Sequence, residues 1–144
     1  MENNPKLLRT ELFLTNLLKA FNSYELNEIS DLLADDVVYE SYFGFSKIIG
    51  KQRVINYWIS KLTEMKISGH KERLELLYNV DTFEQMLIFV DKPIPKISGE
   101  YVCIVAGTND SGLIQNVRLT LTSFYDGLFM AKNDVKRFRA LGAE

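Results

Sequence analysis

AFNSYELNEISDLLADDVVYESYFGFSKIIGKQRVINYWISKL, residues Ala20 to Leu62, is the stretch whose reading decides the fold. Asn22 and Ser23 suit a helix N-cap, and Asn22-x-x-Glu25 has the spacing of a capping box. Leu26, Ile29, Leu32 and Leu33 recur at helical spacing, which predicts a short amphipathic helix running to about Ala34 and broken by Asp35-Asp36. Val37 to Tyr42 is rich in β-formers, and its period of two puts Val37, Tyr39 and Ser41 on one face and Val38, Glu40 and Tyr42 on the other. Phe43-Gly44-Phe45-Ser46 reads as a turn. Gly50 then introduces a further helix whose apolar stripe is Val54, Ile55, Trp58, Ile59 and Leu62.

Outward from this stretch, a first helix is expected after Pro5, a residue tolerated in a first turn. Leu7, Leu14, Leu17, Leu18 and Phe21 form its stripe, and Leu12 and Phe13 widen it. The helix that carries Trp58 should end near Ser68-Gly69. His70, the chain's one histidine, follows among Lys71, Glu72 and Arg73, where a solvated side chain is the expected reading. Alternating runs predict strands over Leu74 to Val80 and Phe83 to Val90, with Asp81-Thr82 turning the chain between them. Lys92-Pro93-Ile94-Pro95-Lys96 reads as a loop, because proline cannot donate to a central ladder. Strands follow over Gly99 to Ala106 and Leu113 to Phe124, joined by the hairpin connection Asn109-Asp110-Ser111-Gly112. In the C-terminal extension, residues 126–144, a short helix over Ala131 to Leu141 would gather Val135, Phe138 and Leu141 on one side. Its Lys132, Lys136, Arg137 and Arg139 read as a solvated face, with an anionic partner as the alternative.

Composition narrows the classes. The chain's 144 residues are the length of one domain. A net charge of -2 gives no electrostatic case for nucleic acid, whose binders usually show a basic stripe. One cysteine, Cys103, leaves no internal disulfide and suits a reducing compartment. No run approaches the roughly 18 apolar residues of a membrane span, and residues 1–5 lack the pattern of a signal peptide, so a cytoplasmic location is expected. One histidine and one distant cysteine offer no zinc set, so neither metal nor cofactor is expected.

The order of elements resembles the nuclear transport factor 2-like superfamily, which includes ketosteroid isomerases and SnoaL-like polyketide cyclases. Ala20, Asn22, Leu26, Ile29, Leu33-Ala34-Asp35-Asp36, Glu40, Gly44, Gly50 and Tyr57-Trp58 carry the resemblance. The isomerase pattern lies over Leu17 to Leu62 without a gap and resumes more weakly from Tyr101 to Leu121. It implies a single α+β domain over residues 1–144: a cone-shaped, curved antiparallel or mixed β-sheet wrapped around N-terminal helices and enclosing a pocket.

Isomerase chemistry needs a carboxylate to carry a proton between carbons and two donors to hold the enolate oxygen. The resemblance puts the base's place at Ser41, the oxyanion tyrosine's at Leu17 and the protonated aspartate's at Ile104, none of which can serve. Glu40 should point away from Ser41's face, and Glu100 and Asp126 have no recognisable partner, so the catalytic residues, if any, are not identified. By parity with the family, Val102 and Val117 face inward with the candidate ligand-binding residues Leu17, Tyr39, Ser41, Tyr57, Trp58, Ile104, Leu119 and Leu121. Such a lining is either a filled core or a pocket for a small apolar molecule, with Tyr39 and Ser41 as polar anchors. Three functions stay open: a small-molecule-binding domain without isomerase catalysis, an enzyme of the cyclase, dehydratase or isomerase type, and a protein-interaction module. The sheet's other face, with Tyr101, Cys103, Val105, Arg118, Thr120 and Thr122, is expected to pair two copies as a homodimer.

Overall fold

In the computed structural model, which describes residues 5–26, 28–79, 82, 84–93, 100–123 and 129–131, the N-terminal apolar stripe forms helix α1, Pro5–Ser23. Its buried side carries Phe13, Leu14, Leu17 and Ala20, whereas Leu12, expected to widen the stripe, is exposed. The helix runs through Asn22 and Ser23, the residues expected to cap a second one. Ser23 Oγ donates to Lys19 O and accepts from the Glu25 N–H, so it closes α1. Tyr24 and Glu28 then take left-handed backbone, at φ 62° and 57°, which no α-helix accommodates. The expected second helix is therefore reduced to a 3₁₀ turn, Ser30–Leu32. Ile29, Leu32 and Leu33 are buried all the same. Their helical spacing reflects a buried side, met here by an irregular segment.

Strand β1, Leu33–Ser41, begins earlier than expected and absorbs Asp35-Asp36. Both aspartates are exposed and held at the edge: Lys51 Nζ lies 3.4 Å from Asp35 Oδ1, and Gln115 Nε2 donates to Asp36 O and Oδ1. The expected turn through Ser46 is confined to residues 42–44, with Gly44 at φ 124°. Phe45–Ile49 is instead strand β2, antiparallel to β1. Helix α2, Lys51–Ser68, buries Val54, Trp58 and Leu62 and leaves Ile59 exposed, so its contact stripe is narrower than expected. It stops where Gly69 turns left-handed at φ 72° and its N–H bonds the carbonyls of Lys66 and Met65.

Strands β3 (Leu74–Asn79), β4 (Gln85–Pro93), β5 (Glu100–Thr108), β6 (Ile114–Ser123) and β7 (Phe129–Ala131) complete one sheet in the order β2-β1-β6-β5-β4-β3-β7. β1 and β6 are parallel and every other neighbouring pair is antiparallel, so the sheet is mixed and the domain is α+β. Lys92 and Pro93, expected in a loop, end β4, where its register with β5 is irregular and a missing N–H is tolerated; residues 94–96 lie outside the described residues. Ala131, expected to open a C-terminal helix, ends β7, and the rest of that expectation lies outside the described residues.

Register settles the two faces. Ile104 pairs with Leu119, Val102 with Leu121 and Ala106 with Val117 toward the helices, as expected, while Cys103–Thr120 and Val105–Arg118 face away. α1 packs against β3 to β6, and α2 against β1 and β2. The main core joins both helices to this face. A smaller cluster on the opposite face centres on Leu77, Ile88 and Cys103.

A β-carbon at Gly69 would meet no neighbour, so its requirement for glycine is conformational alone. Gly69→Ala is expected to destabilise the fold by about 1 kcal/mol, read as a lower urea midpoint at unchanged slope.

Candidate functional site

The two helices do not close over the whole concave face. Between them and the sheet lies a cavity of about 300 Å³, bordered by Leu17 and Phe21 of α1, Trp58 and Leu62 of α2, and Tyr39, Phe89, Ile104, Val117 and Leu119 of the sheet. One end is a continuous aromatic wall. The Tyr39 ring lies 5.5 Å from Trp58 and 5.6 Å from Tyr57, and Trp58 lies 6.0 Å from Phe13. The Trp58 side-chain N–H donates to the Tyr39 hydroxyl, giving the buried indole its polar contact. Burial, with Tyr57 beside it, holds the Tyr39 phenol well above its ordinary value, and the Trp58 hydrogen bond offsets only part of that.

Of the residues singled out from sequence, Leu17, Tyr39, Tyr57, Trp58, Ile104 and Leu119 border this cavity. Ser41 does not: it lies at a register shift in β1, and its Oγ accepts the Phe43 N–H at 3.0 Å in the following turn. Leu121 packs against the core beyond the cavity lining. Leu17 and Ile104, at the places of the isomerase's oxyanion donors, present hydrocarbon to the interior.

Polar groups gather at the cavity's mouth, and the sequence reading passed over them. Lys61, Glu64, His70 and Glu72 all border the cavity. His70, expected to be solvated, has its Nε2 at 2.6 Å from Glu72 Oε1, and the Glu72 side chain is only 8% exposed. The signal was present as His70-x-Glu72 directly after a glycine that ends a helix. In extended chain, residues two apart share a side. Lys61 sits 6.0 Å over the Tyr57 ring and 3.9 Å from Glu64. Among the described residues no further His, Cys, Asp or Glu joins His70 and Glu72 into a metal-binding group.

A second cavity, of about 460 Å³, lies between the start of α1 and the ends of β4, β5 and β6. Its lining is polar and mixed, with Lys6, Asn79, Gln85, Asn116 and Arg118. Although larger, it is lined by more polar residues, whereas small-molecule sites are mostly apolar.

No protein-family model matches the chain, and no curated protein matches it. Solved structures do. A SnoaL-like protein of unknown function from Burkholderia thailandensis is 14% identical with a TM-score of 0.54, covering 81% of this chain and 97% of that one. A nuclear transport factor 2-like protein of unknown function from Mesorhizobium loti is 13% identical with a TM-score of 0.56, covering 82% and 94%. A nuclear transport factor 2-like protein from Anabaena variabilis is 17% identical with a TM-score of 0.54, covering 88% and 95%. At these identities the likeness is one of fold, and the chain has the nuclear transport factor 2-like fold.

Two buried acids make the fold sensitive to alkali. Besides Tyr39, the fully buried Cys103 thiol is pushed up to about 11 by burial, with Arg118 pulling the other way. Both groups are neutral in the native state, and the unfolded chain releases their protons first, so the stability they confer is complete below about pH 9 and is lost as pH rises. Melting temperature is expected to hold from pH 7 to 9 and then fall. Cys103→Ala should flatten the part of that fall between about pH 9 and 11. An identical fall in both proteins would contradict this assignment.

Proposed function

We propose that the chain binds a small, largely apolar molecule in the cavity between α1, α2 and the sheet, without ketosteroid isomerase catalysis. The observation that carries this reading is the largely apolar space of about 300 Å³ bordered by Leu17, Phe21, Tyr39, Trp58, Ile104 and Leu119. Known ligand sites run from roughly 300 to 1,000 Å³ and combine apolar walls with a few polar groups, and this cavity falls at the small end. A guest of one or two fused rings suits it better than a four-ring steroid. The chemistry points the same way, because Leu17, Ile104 and Ser41 supply neither a base nor an oxyanion donor where isomerase catalysis would use them.

The opposite face supports a second proposal, self-association. Cys103, Leu77 and Ile88 form an apolar centre against which Met86, Val90 and Val105 pack. Tyr101, Arg118 and Thr120 alternate around it on β5 and β6. Leu77, Ile88 and Cys103 are already buried within one chain, so a two-fold pair would cover the partly exposed residues around them. Sedimentation at micromolar concentration should then give a dimer, and a monomer at every concentration would remove the proposal.

Trp58 is the chain's one tryptophan and borders the cavity, so its emission reports occupancy directly. Naphthalene, indole and short cycloalkanes are expected to shift that emission saturably. Ile104→Phe, which adds bulk to the wall, should weaken the response by roughly tenfold, about 1.4 kcal/mol. A flat response across the panel would contradict the binding reading. A β,γ-unsaturated ketosteroid should not be isomerised, and turnover abolished by Ser41→Ala would overturn the assignment of Ser41 to the turn.

A further inference from the structure

His70 is positioned more firmly than a loop residue needs to be. Its N–H donates to Met65 O at 3.0 Å, continuing the helix cap at Gly69. Its carbonyl accepts the Tyr24 hydroxyl at 2.9 Å, across 46 residues of sequence. The ring then meets a carboxylate that is almost entirely enclosed: the Glu72 side chain is 8% exposed against 52% for His70. Both residues border the apolar cavity. A surface ion pair would leave both partners in water, where it is worth little. Here the carboxylate is withdrawn behind the imidazole.

That arrangement favours one tautomer of the ring. In a neutral imidazole opposite a carboxylate, an Nε2–H donates to Glu72 Oε1, and the lone pair is then on Nδ1. Nδ1 has no hydrogen-bond partner among the described residues. His70 borders the cavity, so a ring in this tautomer can offer a guest a proton acceptor, and the rest of the lining is mostly hydrocarbon and aromatic.

We propose that the His70–Glu72 pair is the polar anchor of the cavity and selects apolar ring compounds that carry one weakly acidic hydroxyl, a phenol or an enol, whose O–H donates to His70 Nδ1. The proposal rests on the apolar-guest reading and names the class of guest. If the hydroxyl is acidic enough to yield its proton, the O–H bond breaks with its electron pair left on oxygen and an N–H bond forms at Nδ1. The resulting imidazolium keeps its Nε2–H on Glu72, and the oxyanion stays paired with it. An apolar guest without the hydroxyl leaves Nδ1 to solvent, which reaches the half-exposed ring, and gains no hydrogen bond there.

The chain holds one histidine, so its ring ¹⁵N resonances are unambiguous. The probes are 2-naphthol and naphthalene, matched in their apolar rings and different in the hydroxyl. In the free protein the ¹⁵N shifts should report the Nε2–H tautomer. Adding 2-naphthol should move Nδ1 strongly, and naphthalene should leave it nearly unmoved. By Trp58 emission, 2-naphthol should bind roughly tenfold more tightly. His70→Gln should bring the ratio of the two affinities to about one, and Glu72→Gln should abolish the fixed tautomer and reduce the ratio. An Nδ1–H tautomer in the free protein, an Nδ1 signal unmoved by bound 2-naphthol, or an affinity ratio that survives in His70→Gln would overturn the proposal. Equal binding of both probes by the wild type would overturn this inference and leave the cavity reading standing, whereas binding of neither would overturn both.

Discussion

The parallel pairing of β1 with β6 is the constraint on which the rest of the structure depends. It joins Tyr39 to Val117 and Ser41 to Leu119, residues separated by most of the chain. In the order β2-β1-β6-β5-β4-β3-β7, its removal would divide the sheet into a hairpin and a five-stranded remainder. The helices follow the same division, α2 lying on β1 and β2 and α1 on β3 to β6. The β1–β6 ladder is therefore what brings the two helices to face one another across a gap, and the gap is the cavity. Parallel pairs require a long crossover. Here that crossover comprises β2, α2, β3, β4 and β5, so the site is complete only when nearly the whole described chain is in place.

Within that frame the aromatic wall and the mouth have separate origins. Trp58 and Tyr57 reach β1 from consecutive positions of α2, and both rings pack against Tyr39. The mouth depends on how α2 ends. Gly69 reverses the backbone at the cap, and the next residue, His70, is delivered to the cavity with its peptide group bonded on both sides. A helix one turn longer would carry His70 past the opening.

Much of the fold was legible in the sequence because its signals are periodic. The alternation of Val102, Ile104, Val117, Leu119 and Leu121 set the inward face, and the observed register agrees. The glycine that ends α2 was legible for the same local reason. What was not legible came from competition between neighbours. Asn22-x-x-Glu25 could cap a new helix or be consumed by the end of α1, and the left-handed residues Tyr24 and Glu28 that decide the matter carry no glycine to announce them. Phe45–Ile49 is a strand because it pairs with β1, a tertiary contact that its own residues do not encode. At the site, Leu17, Tyr39, Tyr57, Trp58, Ile104 and Leu119 could be named because face and family order both pointed to them. Ser41 keeps the period of Tyr39 in its pairing with β6, but it stands at the strand's end, outside the cavity lining, where its hydroxyl accepts the Phe43 N–H. His70 was passed over because its partner's burial arises from packing, which a run of charged letters conceals.

The central claim is that the space between the helices and the sheet admits an apolar guest. It is tested most directly by nuclear Overhauser contacts between bound naphthalene and the protein's methyl groups. The account predicts contacts to Leu17, Ile104, Val117 and Leu119 together with the Trp58 ring, all of which border the one cavity. Contacts confined to Leu7, Met86 and Val105, which border the polar cavity at the start of α1, would contradict it.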